Sequence, residues 1–103
     1  MRMERKLAID IPKELITAFC RKNRIRRLSV FGSALRGQFQ PESDVDMLVE
    51  FEPGQVVGLI KMAALERELS AIVGRQVDLR TPADLSRYFR DEVMASAVEQ
   101  YAG

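Results

Sequence analysis

Asp44 and Asp46 stand two residues apart in a run where Val45, Met47, Val49 and Phe51 alternate with Asp44, Asp46, Leu48 and Glu50. Strand side chains repeat with a period of two, so both carboxylates fall on one face. Their alpha carbons then lie roughly 6.6 Å apart, at about 3.3 Å per residue. Two negative charges at that spacing repel by roughly 2.5 kcal/mol for an effective dielectric near 20, a cost that a divalent cation reverses. The chain has no histidine and a single cysteine, Cys20, so oxygen is the donor on offer. Magnesium suits such a site, because it takes one or two carboxylates and fills its remaining positions with water and phosphate oxygens. A phosphate-bearing substrate is the expectation.

Upstream, Gly32-Ser33 follows the apolar run Leu28-Ser-Val-Phe31. Glycine lets a ligand approach the backbone, serine adds a hydroxyl donor, and amides opening the next helical turn favour an anion. Alone this is a common turn dipeptide. With ten residues between it and Asp44-x-Asp46 it becomes a spaced pattern of four fixed residues, whose chance occurrence in about 90 start positions is on the order of one in a thousand. A third aspartate, Asp78, lies in Gln76 to Arg80, where Val77 and Leu79 take one strand face and Asp78 the other. The absence of histidine excludes Ser-His-Asp and Cys-His nucleophile pairs and histidine-ligated zinc.

The elements that must carry these residues follow from periodicity. Ile11, Leu15, Ile16, Phe19 and Cys20 make an amphipathic helix over Asp10 to Arg24, with Pro12 in its first turn. Strands over Leu28–Phe31 and Asp44–Phe51 follow, separated by a polar loop. Val56 to Val73 reads as a second helix closed by Gly74. Gln76 to Arg80 is a third strand, and Leu85, Phe89, Val93, Met94, Ala97, Val98 and Tyr101 mark a last helix from about Ala83 to Gln100. The order helix, strand, strand, helix, strand, helix predicts an α+β, sandwich-like domain spanning residues 1–103. Its small mixed sheet carries helices on one face and leaves an open acidic face holding Asp44, Asp46 and Asp78.

Composition agrees with a soluble globular protein, 47% hydrophobic and 30% charged. The lone cysteine excludes an intrachain disulfide framework, and no apolar run reaches membrane-spanning length, so a cytoplasmic location is expected. Charge is lopsided. Residues 1–36 hold ten Lys or Arg against three acids, and residues 37–103 hold six against twelve. The basic run Arg21 to Arg27 suits a helix C-terminus as well as it suits phosphates. Tyr88 and Phe89 lack the spacing of a base-stacking platform, so direct nucleic-acid binding is not expected.

The segments SVFGSALRGQFQPESDVDMLVEF, GRQVDLRTP and LSRYFRDEVMASAVEQYA resemble the minimal nucleotidyltransferases of the DNA polymerase beta superfamily, and the likeness runs from about Ile11 onward. Members of that group look like antitoxins paired with HEPN-type ribonuclease toxins. The resemblance implies that Gly32 and Ser33 bind a triphosphate, with Arg36 as a further contact. Asp44, Asp46 and Asp78 would coordinate two magnesium ions, and Asp78 would help activate the acceptor hydroxyl. Ala34 departs from the family habit of a basic residue directly after Gly-Ser. The implied reaction is AMPylation, the transfer of AMP from ATP to a tyrosine of the toxin, with both proteins in a hetero-oligomer. A competing reading keeps the antitoxin role but neutralises by steric cover alone, and a third makes the basic segment an RNA-binding regulator.

Overall fold

The computed structural model describes residues 11–32 and 44–103. Helix α1 (Lys13–Lys22) starts after Pro12 at its N-cap, and Asn23 closes it by donating from Nδ2 to the Phe19 carbonyl at 2.9 Å. Strand β1 (Ile25–Phe31) pairs antiparallel with β2 (Val45–Phe51). Helix α2 (Leu59–Val73) ends at Gly74, whose φ of 80° puts it in the left-handed region that glycine tolerates. Strand β3 (Val77–Arg80) then pairs parallel with β2. Helix α3 (Arg90–Ser96) and strand β4 (Val98–Ala102) complete the chain, and the sheet order is β3-β2-β1-β4.

The alternation in β2 sorts the sheet's two faces. Val45, Met47 and Val49 are fully buried and pack with Val77 and Leu79 of β3, with Ile16, Phe19 and Cys20 of α1, and with Leu65 and Leu69 of α2. On β1 both Ile25 and the Leu28/Val30 pair reach this core although their parity differs. A register irregularity between Ile25 and Arg27 inserts the residue that flips it. The core thus fixes the opposite face as the one that carries Asp46. None of the helices among the described residues is long and apolar enough to cross a membrane.

The last helix differs from its expectation. Instead of one helix over Ala83 to Gln100, Pro82–Asp84 forms a 3-10 turn, α3 spans only Arg90–Ser96, and Val98–Ala102 is a strand antiparallel to β1. Thr81 and Asp84 cap the 3-10 turn reciprocally, and Arg90 reaches back to the carbonyls of Pro82 and Leu85 at 2.8 and 3.1 Å, so the segment before α3 is tied down out of helical form. Beyond α3, the free edge of β1 offers a row of hydrogen-bonding groups to a segment containing β-branched Val98 and aromatic Tyr101. That long-range pairing outweighs the local helical spacing.

The mixed α+β sheet is as the sequence predicted, but the acidic face is only partly open. Leu48 lies on it and is nevertheless 2% exposed, and its register partner Ser29 is 4% exposed. Met94 of α3 and Ala97 line a small cavity with them and with Arg27, Glu50 and Glu99. Met94 and Ala97 of the C-terminal segment therefore lie over the middle of the face.

Candidate active site

Parallel pairing of β2 with β3 sets Asp46 directly opposite Asp78. Neighbouring strands lie about 4.8 Å apart, so the two carboxylates rise side by side from one face. Like charges directly opposite one another in a ladder repel, and the Arg80 guanidinium beside Asp78 offsets part of that repulsion. Residues pointing to a core could not bear this. Here Asp46 is partly exposed and the Asp78 side chain is 33% exposed, so water shares the load.

Asp44 immediately precedes β2, two residues from Asp46, and is exposed. It stands at the end of the same face. On the other side of Asp46, its antiparallel partner on β1 is Phe31, and Gly32 comes next. Gly32 has φ of 78°, and a Cβ built there would overlap Asp46 Oδ2 and sit 3.1 Å from its Cγ. The missing side chain at Gly32 is therefore what makes room for the Asp46 carboxylate beside the backbone.

The structure brings Asp44, Asp46, Asp78 and Gly32 to one end of one face. Ser33 and Arg36, the other expected phosphate contacts, lie outside the described residues. The donor set is hard oxygen throughout, and the glycine cradle holds one carboxylate against the chain, which fits magnesium. Yet among the described residues no three acidic, histidine or cysteine side chains converge on a common point as they stand. Asp78 Oδ2 accepts a hydrogen bond from Arg80 Nη2 at 3.1 Å.

Arg80 was missed by sequence reasoning although a signal existed. The alternation that puts Asp78 on the acidic face puts Arg80 there too, two residues on. Glu66 and Ser70 of α2 were also missed. Along the free edge of β3, the Val77 amide donates to Ser70 Oγ at 2.9 Å and the Leu79 amide donates to Glu66 Oε2 at 2.8 Å. Ser70 Oγ in turn donates to the Glu66 carbonyl at 2.8 Å. These bonds bracket Asp78 and fix the strand that carries it, and nothing in helical periodicity alone distinguishes them from ordinary surface polar residues.

Residues 12–99 match the nucleotidyltransferase domain family. The protein adenylyltransferase MntA of Thermococcus cleftensis is 33% identical over 96 residues, covering 89% of this chain and 95% of that protein. A solved toxin–antitoxin structure with AMP-PNP superposes with a TM-score of 0.72 at 20% identity, over 90% of this chain and 75% of the other. A chain from the complex of tri-AMPylated Shewanella oneidensis HEPN toxin with MNT antitoxin superposes with a TM-score of 0.63 at 19% identity, over 88% and 70%. With the domain match running through both aspartate-bearing strands and one relative alike nearly end to end, the chain belongs to the nucleotidyltransferase domain family and is an enzyme of that class.

Proposed function

We propose that this nucleotidyltransferase is a protein adenylyltransferase that acts as an antitoxin, moving AMP from ATP to a tyrosine of a HEPN-type toxin bound to it. The observation that carries the reading is the Asp46–Asp78 register beside Gly32, which gathers carboxylates at one end of the sheet's acidic face. The relative from Thermococcus cleftensis is named for this activity, and the HEPN toxin in the Shewanella complex is tri-AMPylated.

Asp44, Asp46 and Asp78 are the groups that would hold two magnesium ions. Bound there, magnesium would neutralise phosphate charge and favour ionisation of the acceptor hydroxyl. Gly32 and Ser33 would receive the triphosphate, with Arg36 as a further contact, and Gly32 would let the phosphates approach the chain as closely as it lets Asp46. Asp78 would accept the proton of the acceptor hydroxyl. The hydroxyl oxygen forms a bond to the α-phosphorus as the bond from that phosphorus to the β-bridging oxygen breaks, and pyrophosphate leaves in line.

The test is intact-mass spectrometry of a candidate HEPN partner after incubation with this protein, ATP and magnesium. A mass gain of one or more AMP units, absent with Asp44→Asn/Asp46→Asn, is the expected result. A stable complex and a silenced toxin with no mass gain from any triphosphate would instead favour neutralisation by steric cover.

A further inference from the structure

We infer that Arg80 is a positioning residue that holds the Asp78 carboxylate off the metal site until a divalent cation displaces it. The inference rests on the proposed role of Asp78 as third carboxylate. Arg80 and Asp78 are two apart on one strand, so both rise from the acidic face, and Nη2 lies 3.1 Å from Oδ2.

Arg80 pairs with Asp78, although Asp46 and Glu50 flank its register partner on the same face of β2. Its register partner on β2 is Leu48, which is apolar and buried. The next carboxylate along the chain, Asp84, already accepts from the Thr81 amide and hydroxyl at 3.0 and 3.1 Å. The strand itself is anchored, since Ser70 and Glu66 hold the amides on either side of Asp78. Exchange between the guanidinium and a metal ion is therefore a matter of side-chain rotation alone.

The pair is also of the right strength to act as a latch. Its side chains are 48% and 33% exposed, and ion pairs this exposed shift an equilibrium by up to about fivefold. That is enough to bias Asp78 toward the guanidinium in the metal-free protein, and too little to resist a divalent ion arriving with a nucleotide.

The experiment is a double-mutant cycle read by Mn²⁺ binding, followed by electron paramagnetic resonance of the free ion, on the wild type, Arg80→Gln, Asp78→Asn and the double variant. Thermal melts establish that each is folded, and Arg80→Met, which keeps the aliphatic stem, replaces Arg80→Gln if that variant is not. The expected result is weaker binding in Asp78→Asn and about two- to fivefold tighter binding in Arg80→Gln. The gain must vanish when Asp78→Asn is also present. Equal tightening in both backgrounds would reduce Arg80 to a general positive charge and overturn the latch, as would no tightening. Unchanged binding in Asp78→Asn would instead overturn the metal role of Asp78 on which the latch rests.

Discussion

Asp46 and Asp78 come from strands separated by a 15-residue helix, yet they are register partners in a parallel ladder, carboxylate beside carboxylate. Parallel strands need a crossover, and α2 is that crossover. Its Leu65 and Leu69 are buried against the sheet while Glu66 and Ser70, one residue further along, hold the edge of β3. The same helix thus packs the core and sets the height at which Asp78 meets Asp46.

Relieving that juxtaposition should exchange activity for stability. Asp78→Asn removes a like-charge pair directly across the ladder and forfeits an exposed ion pair worth at most about 1 kcal/mol. After screening, the apo protein should gain roughly 0.5–1 kcal/mol, read from chemical denaturation without divalent ions. Nucleotide transfer by the same variant should fall by about a hundredfold or more if Asp78 takes the acceptor proton. A variant that lost stability and kept its turnover would contradict both halves of this account.

Gly32→Ala should be disproportionately harmful for the addition of one methyl group. The left-handed φ of 78° strains any L side chain, and the new Cβ would displace the Asp46 carboxylate. A cost of about 1–2 kcal/mol in stability is expected, together with loss of magnesium-dependent ATP binding measured by calorimetry. Gly54 is the control. It shares a positive φ of 86° but has nothing within 4 Å of its Cβ position, so Gly54→Ala should cost stability and spare ATP binding.

The edge clamp makes its own prediction. Ser70→Ala deprives the Val77 amide of its acceptor, and Glu66→Ala does the same to Leu79, each at a cost of about 1–2 kcal/mol. Glu66→Gln keeps an acceptor oxygen and should recover most of the loss. Amide hydrogen exchange at Leu79 reads the effect locally, and acceleration there without acceleration at buried Val49 of β2 would assign it to the edge.

Most of this framework was legible in one dimension, for identifiable reasons. The period-two alternation of Val45 to Phe51 fixed both the core face and the position of Asp46, and Gly74 marked the end of α2. The C-terminal segment was misread because Val93, Ala97 and Tyr101 have helical spacing, whereas the edge of β1 that captures Val98–Ala102 is a partner some seventy residues upstream. Periodicity carries no information about such a partner. The Arg80–Asp78 pair was available from alternation alone. The roles of Glu66 and Ser70 depend on how α2 is rotated over β3, and they emerge only in three dimensions.

Cys20 gives a prediction in which the sign follows from burial. Its side chain is fully buried among the core residues of α1, and burial pushes the thiol from an ordinary 9.0 up to about 12. The folded state therefore keeps the proton over a range where the unfolded chain releases it. The stability contributed by the neutral thiol is fully present below pH 9 and is lost as pH rises toward about 12. Other groups titrate in that window, so the quantity to measure is a difference. The urea midpoint should fall more steeply between pH 8 and pH 10.5 in the wild type than in Cys20→Ala, although the variant starts lower because of the atoms it loses from the core. Disulfide reagents should react with Cys20 at neutral pH only after denaturation, since a buried thiol presents neither thiolate nor access. Parallel pH slopes in the two proteins, or prompt reaction of the native thiol, would show that α1 opens at Cys20 and that the core is looser there than its packing implies.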